Sequence, residues 1–277
     1  MNTGFTASRH RRIVGMAALA LLVTACAVSP TGRKQLAFIP DDQMTAMGAQ
    51  AFTDIKQQEP IEKDPAIVAY VQCVADALIA LPEVRDVQPD WEVTVFRSDT
   101  VNAFALPGGK IGVYTGLLEV AETPAQLAAV MGHEVAHVLA RHGNERMSQQ
   151  LAVGQTMSLI EGWLGAGGGG GAGQQAALAL LGVGAQVGIL LPFSRAHESE
   201  ADGMGKSLMA KAGFDPRESV TLWQNMAKAG NGGTPEFLST HPSHDTRIRD
   251  LREGMDAAVA LYEDAKKNGR EPQCKRP

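Results

Sequence analysis

Residues His133-Glu134-Val135-Ala136-His137 set two imidazoles four positions apart, with a carboxylate next to the first. On an α-helix four residues make just over one turn, so both rings project to one side, about 40° apart around the axis. That spacing suits two neutral imidazole nitrogens holding one ion, and a helical HExxH pattern is a zinc-hydrolase signature. Glu134 projects beside them. It is placed to reach a metal-bound water without itself ligating, as a general base in metal-assisted hydrolysis must. Val130, Met131, Val135, Val138 and Leu139 make the surrounding helix mostly apolar. Two histidines and a glutamate buried there are costly without partners, and one Zn2+ per chain resolves that cost.

Catalytic zinc commonly takes three protein ligands and a water. Glu198, in SRAHESEAD, is the candidate third metal ligand beside His133 and His137. Asp202 lies one turn further on the same face, where a carboxylate can accept the remaining N–H of a ligating histidine. Arg195 is expected to pair with Asp202 or another nearby acid, and Glu200, pointing elsewhere, to be a solvated charge. His241, before Pro242, could support a tetrahedral oxyanion or cap the open zinc position in a resting state; a plain turn histidine is the alternative. His142 is read as a helix-end cation, His197 as one residue out of ligand phase, and His244 as a local hydrogen-bonding group. Asn102, Ala103 and Phe104 belong to a β-prone run that can pair with an extended substrate by β-augmentation.

The elements that must position these residues are mainly helical. Asp64-Pro65 opens a helix with Ile67, Val71, Val74 and Leu78 at helical spacing. Trp91 to Phe96 alternates as a strand does. Ala103–Leu106 and Lys110–Tyr114 flank Pro107-Gly108-Gly109, which predicts a hairpin in a small antiparallel sheet. Thr123, Pro124 and Gln126 form a helix start for the HExxH segment, with Gly143 as its stop. Ser194 caps a helix ending at Gly213, Asp215-Pro216 and Glu218 start another, and a last helix is expected from about Ser243 past Tyr262. Residues 165–173 hold seven glycines and two alanines, which predicts a mobile loop. Ala176 to Phe193 is nearly all apolar and reads as buried core or lid, with membrane contact as the alternative.

The first segment stands apart. Arg9, Arg11 and Arg12 precede the uncharged Ile13–Val23, the layout of a secretory signal and short for a membrane span. Val23-Thr24-Ala25-Cys26 resembles a bacterial lipobox, with Cys26 as the lipidated mature N-terminus. Two acyl chains give stable anchoring, and Ala27 in place of Asp favours the outer membrane. Removing residues 1–25 takes away three basic and no acidic residues, shifting the formal charge from −5 to −8. That balance argues against nucleic acid as a partner. Cys73 and Cys274 then remain as an even pair, which in an oxidising compartment implies a disulfide, two free thiols being the alternative. The expected organisation is a signal peptide at 1–25, a lipidated tether at 26–40 and one catalytic domain at 41–277.

HEVAH, SRAHESEAD, STHPSHDTRI and the earlier NAFALPGGKIGVYTGLL together resemble metallopeptidase family forty-eight, which includes the HtpX and CAAX prenyl endopeptidases, over roughly Ala51 to Glu253. The lipidated layout is similar to its periplasmic LoiP/BepA-like branch, although there is no room for a C-terminal repeat domain. The resemblance implies an α+β, mainly α, gluzincin-type fold, Glu198 as third ligand, and misfolded or misassembled envelope proteins, among them outer-membrane proteins, as substrates. The resulting expectation is a zinc metalloendopeptidase on the periplasmic side of the envelope. A zinc-stabilised chaperone or assembly factor and a zinc hydrolase of non-peptide substrates are the alternatives.

Overall fold

The computed structural model describes residues 26–88, 90–163, 193–229, 236–241 and 247–277. The leader expected at 1–25, the glycine-rich loop at 165–173, the apolar stretch up to Phe193, and His244 lie outside them. The described residues open with a two-stranded antiparallel hairpin, β1 (Cys26–Val28) and β2 (Lys34–Leu36). Three helices follow, α1 (Asp41–Gln58), α2 (Pro65–Ile79) and the single turn α3 (Pro82–Arg85). Strands β3 (Glu92–Phe96), β4 (Ala103–Leu106) and β5 (Lys110–Tyr114) lead into α4 (Thr115–Val120), α5 (Pro124–Leu139) and α6 (His142–Trp163). Beyond the undescribed stretch come α7 (Arg195–Lys211), α8 (Glu218–Ala229), α9 (Glu236–Thr240), α10 (Arg247–Arg252) and α11 (Met255–Lys267). Among the described residues, no helix is long and apolar enough to cross a membrane. The mainly helical α+β class and the small sheet match the expectation.

Local chemistry explains three of the helix starts. Asp64 accepts from the Ala66 amide at 2.8 Å, Thr123 Oγ1 from Gln126 N at 3.2 Å, and Ser194 Oγ from His197 N at 3.2 Å. Each satisfies an amide that the first helical turn leaves without a partner. Two ends differ from expectation. The HExxH helix stops at Leu139, and the left-handed residue after it is Arg141 (φ 57°), not Gly143, which already lies inside α6. Arg141 is steadied there by an ion pair with Asp41. The expected last helix is split: Gly254 (φ 66°) separates α10 from α11.

The predicted hairpin forms, with β4 antiparallel to β5. Gly108 and Gly109 close it at φ 82° and 71°, a conformation that penalises any residue with a Cβ. Strand β3 pairs with β5 in parallel, giving the order β3-β5-β4 and a mixed rather than wholly antiparallel sheet. Two chain reversals return β5 to the direction of β3, and β5 inserts between its neighbours. Among the described residues, no strand pairs with the other edge of β4.

The main core gathers α2, β3, β5, α5, α7 and α8 around Val71, Leu78, Ile111, Leu127, Met131 and Met209. Cys73 on α2 is bonded to Cys274, the Cα atoms 5.6 Å apart, so the C-terminal tail is fastened to that helix. Residues 26–40, expected as a tether outside the domain, lie on it instead. Asn144 of α6 exchanges hydrogen bonds with Ile39 N and O at 3.3 and 2.7 Å, Ser148 Oγ accepts from Phe38 N at 3.1 Å, and Gln35, Ala37 and Ile39 are buried.

Candidate active site

The HExxH helix α5 and the Glu198 helix α7 cross at two glycines. A Cβ on Gly205 would lie 2.7 Å from His133 N, and one on Gly132 3.0 Å from Gly205 O. Small residues here let the backbones approach, and that approach brings Glu198 to the two histidines. His133 Nε2 and His137 Nε2 are 3.0 Å apart, and Glu198 lies 3.5 Å from the first and 3.4 Å from the second. His241 Nδ1 joins them, 3.2 Å from His133 Nε2 and 3.1 Å from Glu198 Oε1. One donor atom from each of the four residues falls within 4.8 Å of the others, and all four residues are buried. Donors placed tetrahedrally about 2.0–2.1 Å from zinc are separated by roughly 3.3 Å, so the spacing suits that ion.

The remaining polar groups fit the same ion. Oε1 of Glu134 is buried and has no hydrogen-bond partner; Oε2 accepts from Ala105 N at 3.2 Å. His241 Nε2 comes within 3.3 Å of Oε1 but without the alignment of a hydrogen bond. An unpaired buried carboxylate oxygen beside a convergent donor set is what a metal-assisted hydrolytic site leaves for water or substrate. Burial pushes the Glu134 carboxyl up from its ordinary value, while the charges of His241 and His133 partly oppose this. Glu198 behaves oppositely: burial disfavours its charge, yet His133 and the surrounding hydrogen bonds hold it well below the usual carboxylate range. Burial lowers the His137 pKa strongly, leaving a neutral imidazole able to ligate. Burial also opposes charge on His133, but Glu198 and Asp202 win and raise it to about 9. The acidic pair thus attracts a positive charge to the place where a metal cation would sit.

Asp202 stands where the helix phase put it, its Oδ1 2.9 Å from His133 Nδ1. If Nε2 ligates, Nδ1 carries the proton and donates it to Asp202, which fixes the tautomer. The guanidinium paired with Asp202 is not that of Arg195, which is exposed at the start of α7. It is Arg247, whose Nη2 donates to Asp202 Oδ1 at 2.6 Å and whose Nη1 donates to Glu198 Oε2 at 2.8 Å. Only 1% exposed, Arg247 lies over the Trp223 ring, its Cζ 3.4 Å from the centroid. Arg247 sat inside the STHPSHDTRI motif, yet nothing in its spacing linked it to an acid on α7.

Two further expectations are corrected. Glu200 is buried rather than solvated and meets Arg33 and His142; His142, fully buried, reaches His137 Nδ1 at 2.9 Å. His197, out of ligand phase as expected, stays outside the donor cluster and is buried against Glu145 at 3.0 Å. The apolar helix packing leaves these polar groups no water, so they bond to one another. Asn102, Ala103 and Phe104 line the same cavity as Glu134, His137 and His241, a space of about 220 Å³. Asn102 Oδ1 is buried there without a partner.

Comparison with known proteins agrees with this geometry. The profile of Peptidase family M48 matches residues 65–255. The mitochondrial metalloendopeptidase OMA1 of Schizosaccharomyces pombe is 40% identical over 196 residues, 70% of this chain and 55% of that protein. The Bos taurus OMA1 is 32% identical over 281 residues, 92% of this chain and 52% of its own length. The beta-barrel assembly-enhancing protease of Yersinia pestis is 30% identical over 219 residues, 76% of this chain and 43% of that protein. The chain spans about half the length of these curated relatives. They include mitochondrial and bacterial proteins alike. The matched span contains HEVAH, Glu198, His241 and Arg247 together, and on that ground the chain belongs to peptidase family M48.

Proposed function

We propose that the protein is a zinc-dependent metalloendopeptidase. The observation that carries the reading is the buried Oε1 of Glu134, without a hydrogen-bond partner beside four converging donors, while Oε2 of the same carboxylate meets strand β4 at Ala105 N. His133, His137 and Glu198 would hold the ion, with Asp202 and Arg247 orienting His133 and Glu198. Zinc bound there supplies Lewis acidity and makes water a usable nucleophile near neutral pH. The edge of β4 away from β5 aligns an extended substrate chain, and Asn102 Oδ1 accepts from its backbone. Glu134 takes a proton at Oε1 and returns it to the leaving amine; its raised pKa brings it closer to working pH.

The site of action in this reading is the bacterial envelope, with the chain anchored through lipidated Cys26 on the periplasmic side, at the outer membrane. The charged-then-apolar leader and the Val23-Thr24-Ala25-Cys26 run support it, and the substrates are misfolded or misassembled envelope proteins. The name of the Yersinia pestis relative, a beta-barrel assembly-enhancing protease, fits this class. The OMA1 relatives are mitochondrial and support only the proteolysis. A second reading, a zinc-stabilised assembly factor with latent proteolysis, draws on His241, whose Nδ1 closes the donor set at the fourth corner.

The deciding experiment incubates the purified mature chain with unfolded casein, with and without a chelator, and follows fragments by mass spectrometry. Cleavage restored by zinc and lost in Glu134→Gln establishes the peptidase. Absence of cleavage with one zinc bound per chain favours the latent reading, and His241→Ala should then release activity. Cys26→Ser should move the protein from the membrane to the soluble fraction; retention on the membrane would defeat the anchor.

A further inference from the structure

The N-terminal hairpin reaches the metal site through an unbroken chain of polar contacts. Arg33, between β1 and β2, donates from Nε to Glu200 Oε2 at 2.7 Å and from Nη1 and Nη2 to the two oxygens of Glu145 at 3.0 and 2.7 Å. Glu200 Oε2 lies 3.1 Å from His142 Nε2, and His142 Nδ1 lies 2.9 Å from His137 Nδ1. Thr31 of the same hairpin donates to Glu200 Oε1. His142 is fully buried, and its ring stacks on His197, which Glu145 holds at 3.0 Å.

Ligation settles the direction of every proton along this chain. If His137 gives its Nε2 lone pair to the ion, its Nδ1 carries hydrogen and can only donate to His142 Nδ1. His142 Nδ1 must then be the acceptor, so its Nε2 carries hydrogen and donates to Glu200. Glu200 must stay a carboxylate to receive that bond together with the one from Arg33. Remove the guanidinium, and a buried carboxylate loses its main counter-charge while Glu145 loses its bidentate partner. The ring of His142, and with it the orientation of His137, is then no longer held.

We propose that Arg33 is a positioning residue for the metal ligand His137, acting through Glu200 and His142, so that docking of the N-terminal hairpin completes the zinc site. The inference rests on the reading of the four-donor cluster as a zinc site. It assigns a role to the segment just after Cys26. The hairpin is an outer layer of the catalytic centre, and its seating is coupled to metal affinity.

The test uses the chain from Cys26 onward, as wild type, Arg33→Ala, Arg33→Lys and Glu200→Gln. Each is titrated with zinc against a chromophoric chelator and, separately, loaded with cobalt(II) for its visible spectrum. Arg33→Ala and Glu200→Gln should weaken zinc about tenfold, the low end of the range for such outer partners, and shift the cobalt bands. Arg33→Lys should recover part of both, and kcat on casein should fall with little change in KM. Zinc affinity within twofold of wild type and an unchanged cobalt spectrum in Arg33→Ala, alongside a lowered unfolding temperature, would make the hairpin a structural clasp and overturn the proposal. Should Arg33→Ala fail to fold, the nearly isosteric Glu200→Gln decides by the same two readouts. A wild type that binds neither metal overturns the zinc-site reading itself, an outcome distinct from failure in the variants alone.

Discussion

The two histidines of the HExxH helix are supported in different ways. His133 Nδ1 faces a carboxylate directly, that of Asp202, one helical turn from Glu198 and locked by Arg247. His137 Nδ1 faces another imidazole, that of His142, and a carboxylate is reached only at the next step, Glu200, which Arg33 holds from the far end of the chain. The first arrangement is built almost wholly from two helices and a buried arginine. The second is a relay that spans three regions of the sequence, so every member must be seated for the last to be oriented. A direct carboxylate makes its histidine more basic and rigid; a relay makes its histidine conditional on a surface element.

The largest effect should come from removing the lock on the His133 side. Arg247→Ala leaves Glu198 and Asp202 buried without their shared cation and should cost about 3–5 kcal/mol in urea unfolding of the metal-free protein. A loss below about 1 kcal/mol would mean that the proton on His133 already compensates, and the contrast between the sides would collapse. Next, Asp202→Asn should weaken zinc nearer 100-fold within the ten- to hundredfold range for such partners. Equal losses from Asp202→Asn and Glu200→Gln, in the same chelator titration, would erase the distinction between direct and relayed support. Gly205→Ala forces α5 and α7 apart at His133 and should cost about 1–3 kcal/mol, with weaker zinc binding as well; unaltered binding would show that the ligand spacing does not depend on this crossing.

The smallest effect concerns pH on the relay side. Burial favours the neutral form of Glu145, but its hydrogen bonds to Arg33 prevail and lower its pKa below the ordinary 4.5. A depressed folded value means that this stability is fully present above about pH 4.5 and is lost as pH falls through the folded pKa. The difference in unfolding free energy between wild type and Arg33→Ala, on the order of 1 kcal/mol near neutrality, should therefore shrink as pH drops below 4.5. A difference that stays constant from neutrality to pH 3 would remove Glu145 as the docking partner.

Much of the His133 side was legible in advance because its logic is helical. Spacings of four residues placed His137 with His133 and Asp202 with Glu198, and caps at Thr123 and Ser194 located both helices. The relay was not legible for a matching reason. Arg33 and Glu200 are 167 positions apart and Arg33 and Glu145 are 112 apart, separations that no periodicity connects. Glu200 was read as solvated because it points off the ligand face of α7, yet that other face is covered by α6 and the hairpin. Arg195 was expected to pair with Asp202 for its nearness in sequence, whereas the fold brings α10 against α7, sets Arg247 on Asp202 and leaves Arg195 exposed.

What the amino-acid sequence pointed to by itself was therefore the candidate chemistry: a histidine pair spaced to hold one metal ion, a carboxylate beside it, a candidate third ligand on a second helix, and a cysteine pair placed to close the tail. These rest on residue type and on distances of a turn or two, where backbone geometry leaves little choice. Only the tertiary structure decided which charges are buried together. That depends on which surfaces exclude water, and a buried group must find its partner wherever packing has brought one, however distant along the chain.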